Sequence, residues 1–158
     1  MKKKIMAIVS VLTMAAGLQA FAISSQDLLD NPIMYRVLTT EGNHVVYVDM
    51  NSIQGIQTMD YPNSVENITC NVYVEEYEPN ISAMDYQNGK LVSAIYRGQL
   101  QVHANKVTEV FEGSFTAYSK FAQDGKILES IDKNARQEIA VGIDQNVFTT
   151  LHRLAAQK

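Results

Sequence analysis

Tryptophan is absent from this chain, cysteine occurs once, proline three times, and no apolar run reaches membrane-spanning length. Each scarcity excludes something. A lone cysteine, Cys70, closes no disulfide within the chain, so the fold must stand on its own core. A lipid anchor would require a cysteine at the cleavage point of the leader, where Ile23 stands instead. The longest apolar stretch, Ile5 to Leu18, falls short of the roughly 20 residues that a helix needs to cross a bilayer. It follows Met1-Lys2-Lys3-Lys4 and precedes Ala20-Phe21-Ala22, the pattern of a bacterial export signal cleaved after residue 22. The expected location is therefore the periplasm or the exterior, with association to the cell surface open. No membrane span is expected after cleavage.

Basic residues are scarce as well. Three of the 13 lysines and arginines lie in the leader, so the remaining 136 residues carry 10 basic against 17 acidic side chains, a net charge of −7. A nucleic-acid partner demands a basic footprint, and none is present. Anionic membrane surfaces are disfavoured for the same reason. A chain of this length makes one domain, residues 23–158.

What is present reads mostly as strands. Residues 23 to 32 suggest a short arm or helical turn ended by Asn31-Pro32. Ile33 to Thr40 and His44 to Val48 are β-rich runs separated by Glu41-Gly42-Asn43, a hairpin pattern. Residues 54 to 64 read as loop. From Val65 to Glu78 the chain alternates: Ile68, Cys70, Val72 and Val74 point one way, and Tyr73 and Glu75 the other, as in a sheet wet on one face. Leu91 to His103 and Val107 to Ala122 continue the pattern, and Asp124-Gly125 turns the chain into a short strand ending at Ile131. The period then changes. Ile139, Ile143, Val147, Leu151 and Leu154 predict an amphipathic helix over about 134–156, with Asn134 and Gln137 as its capping signature. The expected architecture is α+β, with about five to six antiparallel strands over about 33–131 packed against that helix.

Catalytic and metal patterns are missing. His44, His103 and His152 have no ligand partner at i+2 or i+4, so neither a metal nor another cofactor is expected. No phosphate-binding glycine loop and no nucleophile elbow occur. Glu75, Glu76 and Glu78 read as a solvated strand end rather than as a carboxylate pair for glycoside chemistry. Cys70 shares the apolar stripe, which favours a small buried hydrophobe over a nucleophile. Asp49 and Ser52, which end the run HVVYVDMNSI, read as turn formers that bond their own backbone. Tyrosine dominates the aromatics, with eight residues. Tyr61, Tyr73, Tyr77, Tyr86 and Tyr118 fall on loops or expected polar faces, where tyrosine suits protein contacts.

The stretch MYRVLTTEGNHVVYVDMNSI, together with NITCNVYVEEYE and FTAYSKFAQDGKILESI, resembles the surface-adhesin protein E-like domain family. That family opens with a strand, a short polar turn and an xYxDxxSI strand end, and the likeness runs over about residues 33–131. The resemblance implies an antiparallel sheet with a C-terminal helix and a non-enzymatic role, since the adhesin that names the family binds host matrix glycoproteins. The expected function is an exported binding module for a host or envelope protein, with homodimerisation through a sheet edge or the helix as one way to protect exposed edges. Two alternatives stand beside it: a small exported hydrolase built on a His/acid or Cys70/His pair, and a structural envelope protein without a small ligand.

Overall fold

A computed structural model describes residues 23–58, 65–78, 92–105 and 107–157; the expected leader, Tyr61, Tyr86 and the Asn88-Gly89 turn lie outside them. Eight antiparallel strands form one sheet, with a helix at each end of the described chain. The elements are α1 (Ser25–Asp30), β1 (Tyr35–Glu41), β2 (His44–Asp49), β3 (Gln54–Thr58), β4 (Val65–Tyr77), β5 (Val92–Asn105), β6 (Val110–Phe121), β7 (Ile127–Ser130), β8 (Glu138–Val141) and α2 (Gln145–Ala156). The main order is β1-β2-β4-β5-β6-β7. Strands β2 and β3 share one edge of β4, and β7 and β8 share one edge of β6. The α+β class expected from the sequence is what the structure shows, with eight strands where about five to six were expected.

The two extra strands come from segments assigned otherwise. Residues 54–58, expected as loop, pair with Glu66 to Thr69 of β4. Residues 138–141, expected inside the helix, pair with Gly113 to Thr116 of β6. Ile139 and Val141 keep their apolar periodicity, but they are β-branched, and the open edge of β6 offers them a backbone ladder. The helix therefore starts at Gln145. Its N-cap is Asp144, whose carboxylate accepts the Val147 N–H at 2.7 Å, in place of the expected Asn134. Asn134 lies in a short 3-10 turn, Lys133–Ala135.

Each sheet face carries its own core. On one, Ile68, Cys70 and Val72 of β4 and Leu100, Val102 and Ala104 of β5 pack under Phe148, Leu151 and Leu154 of α2. The spacing of those three helix residues is the helical stripe that the sequence shows. On the other, Val45 and Tyr47 of β2, Tyr73 and Tyr77 of β4, Ile95 of β5 and Phe121 of β6 pack with Leu28 of α1 and Ile23. A six-residue helix is marginal alone. Here α1 is held by a capping box between Ser24 and Asp27, by the buried Leu28, and by the Ser25 N–H donating to the Gln123 carbonyl at 3.0 Å. The Gln123 turn brings Gly125 (φ 85°) against the backbone of Ile23 and Ser24. The sheet face expected to be wet is thus wet only at one end: Asn67, Thr69 and Asn71 are half-buried, whereas Tyr73, Glu75 and Tyr77 are buried.

Candidate functional site

Helix α2 is too short to cover its whole face of the sheet. It sits over the Ile68 end of β4, and the other end of the same face stays open. There the strands bring Val46, Val74 and Leu100 together with Phe115 and Ala117, and the crossing segment Ile139 to Val147 forms the opposite wall. The result is a cavity of about 970 Å³. Ligand pockets run from roughly 300 to 1,000 Å³ and are mostly apolar with a few placed polar groups. This one matches that description in size and in lining.

Two glycines shape it. A Cβ on Gly98 would run into the Phe115 ring and the Thr116 carbonyl, so glycine lets that ring approach β5 closely. A Cβ on Gly113 would meet the Ile143 side chain, so this glycine lets the crossing segment rest on β6. Opposite Gly98, the pairing of β5 with β6 shifts register between Ser119 and Ala117, leaving Tyr118 as the extra residue of a bulge.

The polar groups gather at one mouth. Register places Glu41 opposite His44, and His44 opposite Glu76. The Tyr96 hydroxyl donates to Glu76 Oε2 at 3.1 Å, and the Lys120 ammonium lies 5.3 Å from the centre of the Tyr96 ring. Asp144 lines the far wall while its carboxylate caps α2. Of these groups, His44 and Glu76 draw attention in the sequence, the one as a histidine and the other as a strand-end acid, and neither points to a cavity there. The signal for the mouth is the polar residue that ends an otherwise apolar strand face, which becomes readable only once register is known.

The expected site residues are placed as follows. Tyr73 and Tyr77 are 6% and 2% exposed, so they do not form a contact surface. Burial pushes the Tyr73 hydroxyl up to about 12, with Arg97 opposing, and its ring meets that of Tyr35 edge-on at 5.5 Å. Tyr118 is half-buried and is not among the residues that line the cavity, and the Arg136 guanidinium lies 4.3 Å from its ring centre. Asp49 accepts the Asn51 N–H at 2.9 Å, and the Ser52 hydroxyl donates to the Asp49 carbonyl at 2.7 Å while accepting the Asn71 N–H at 2.7 Å. These are turn bonds, and they also tie the turn to β4.

Cys70 is buried, and desolvation, reinforced by the Asp49 charge, pushes its thiol up to about 12. At neutral pH it is not a thiolate and cannot act as one. The three histidines do not converge: His44 borders the cavity, Asn67 Oδ1 lies 2.6 Å from His103 Nδ1, and His152 Nε2 lies 3.6 Å from Glu66 Oε2. No group of three potential metal ligands occurs among the described residues, and none of their helices is long and apolar enough to cross a membrane.

Glu75 departs most from expectation. It is 1% exposed, under α1, and not at a solvated strand end. Its Oε2 accepts the Tyr47 hydroxyl at 3.2 Å and the Tyr77 hydroxyl at 2.8 Å. The Ser25 hydroxyl lies beside the same carboxylate without forming a well-shaped bond. Burial raises the Glu75 pKa despite these donors.

No family model matches the chain, and no curated protein or solved structure matches it significantly.

Proposed function

We propose that this protein is an exported binding module, of the kind the surface-adhesin protein E-like resemblance suggests, and that it binds through the cavity beside α2. The observation that carries the reading is the cavity itself: about 970 Å³, floored by valine, leucine and phenylalanine side chains, and left open because α2 covers only part of its sheet face. An exposed apolar concavity of this size is the usual mark of a ligand or partner site. A protein partner from the host matrix or the cell envelope would seat an apolar side chain or lipid-like group in it. The buried thiol and the scattered histidines supply no matching support for hydrolysis.

The test is a binding screen of the purified protein and its Ala117→Phe variant against matrix glycoproteins and envelope extracts. Ala117 lines the cavity, so phenylalanine there fills space rather than core. Capture by the parent and not by a folded variant supports the reading; equal capture by both removes the cavity from it.

A further inference from the structure

Acidic side chains are in excess at the mouth of the cavity. Glu41 and Glu76 flank His44 along the ends of β1, β4 and β2, and Asp144 stands on the far wall. No lysine or arginine is among the cavity's described lining residues. Lys120 lies against the Tyr96 ring, whose hydroxyl is bonded to Glu76. Glu76 is half-buried beside the apolar floor, so a cation placed against it gains more than it would in open water, whereas Glu41 and Asp144 are exposed and contribute less. The Tyr96 face already receives an ammonium, so it suits a ligand cation that takes the place of Lys120.

From this we infer that the cavity takes a cationic amphiphile: an apolar chain on the Val46, Val74 and Phe115 floor, and an ammonium head between Glu41, Glu76 and the Tyr96 ring. The inference rests on the cavity being the binding site, as proposed above, and adds the sign of the ligand's charge. An anionic head would meet Glu41 and Glu76 at close range and is selected against. Lys120 occupies the ring that the head would use, so it is a competitor as well as a neighbour. Removing its charge tightens binding of a cation.

The experiment is calorimetric titration of the purified protein with decyltrimethylammonium, decyl sulfate and decyl maltoside, each below its micelle concentration, at low and at raised salt. The expected order is the cation first, then the neutral probe, then the anion. The double variant Glu41→Gln, Glu76→Gln weakens the cation by about fivefold and leaves the neutral probe nearly unchanged. Raised salt narrows the preference, and Lys120→Met strengthens the cation. Glutamine keeps an acceptor for Tyr96, and circular dichroism establishes that each variant is folded. If all three probes bind alike, or the sulfate binds best, the charge inference is overturned while the cavity stands. If none binds, or if binding survives both Ala117→Phe and Val46→Phe, the cavity reading fails and takes this inference with it.

Discussion

The Tyr77 hydroxyl donates to the Glu75 carboxylate at 2.8 Å, between side chains two residues apart on one strand and one face. Tyr47 adds a second donor from the neighbouring strand. Together they hold a buried acid under α1, in a core otherwise built of tyrosine, isoleucine and phenylalanine.

That placement has a signed pH dependence. Because burial raises the Glu75 pKa, the folded state holds its proton to a higher pH than the unfolded chain does. The stability this contributes is fully present below the ordinary carboxylate range and is lost as pH rises through the raised folded value. Glu75→Gln keeps an acceptor for both hydroxyls and carries no charge. Its Tm is expected to match the parent in acid and to rise above it progressively toward pH 8. A difference that stays constant with pH, or reverses, contradicts this.

Glu75→Leu tests the other half of the arrangement. It removes the charge but also the acceptor that Tyr47 and Tyr77 share. A lost partner for a buried polar group costs about 1–3 kcal/mol. Chemical denaturation at pH 7 should rank the leucine variant below the glutamine variant; the reverse order would mean that the hydroxyls need no acceptor there.

The Asp49–Ser52 turn gives a second ranking. Asp49→Ala removes one cap bond, the one accepted from the Asn51 N–H, at a cost of about 0.5–2 kcal/mol. Ser52→Ala removes both a donated and an accepted bond and leaves the half-buried Asn71 N–H without that partner, at about 1–3 kcal/mol. Ser52→Ala is expected to be at least as damaging in urea titration. A neutral Ser52→Ala would show that the turn does not anchor to β4.

Gly98→Ala should be costly in spite of the small change. Its methyl group would press into the Phe115 ring and the backbone of β6, and overpacking costs about 1–3 kcal/mol. Pairing it with Phe115→Leu should recover part of the loss in a double-mutant cycle; no recovery would place the strain in the backbone alone.

Much of this fold is legible in the sequence because one face of each central strand is apolar. Ile68 to Val74 and Leu100 to Val102 announce their faces by alternation alone, and Val45 to Val48, apolar on both sides, lies between the two cores. The alternation misleads at Tyr73, Glu75 and Tyr77, since polarity marks a wet face only if nothing covers it, and α1 arrives from elsewhere in the chain. It misleads again at Ile139 to Val141, where a spacing of four fits a helix but the free edge of β6 decides for a strand. Asp49 and Ser52 are readable because turn bonds are local. The cavity is not, because its mouth is assembled by register between four strands and its depth by where α2 stops.

The measurement that bears most directly on the cavity as the binding site is methyl NMR of protein labelled at valine and isoleucine, with decyltrimethylammonium or a partner from the screen added. Val46, Val74, Ile143 and Val147, which line the cavity, are expected to shift together and saturably, while Val37, Val110 and Ile127 on the exposed surface stay in place. Shifts that gather on the exposed residues and spare the cavity would contradict the account.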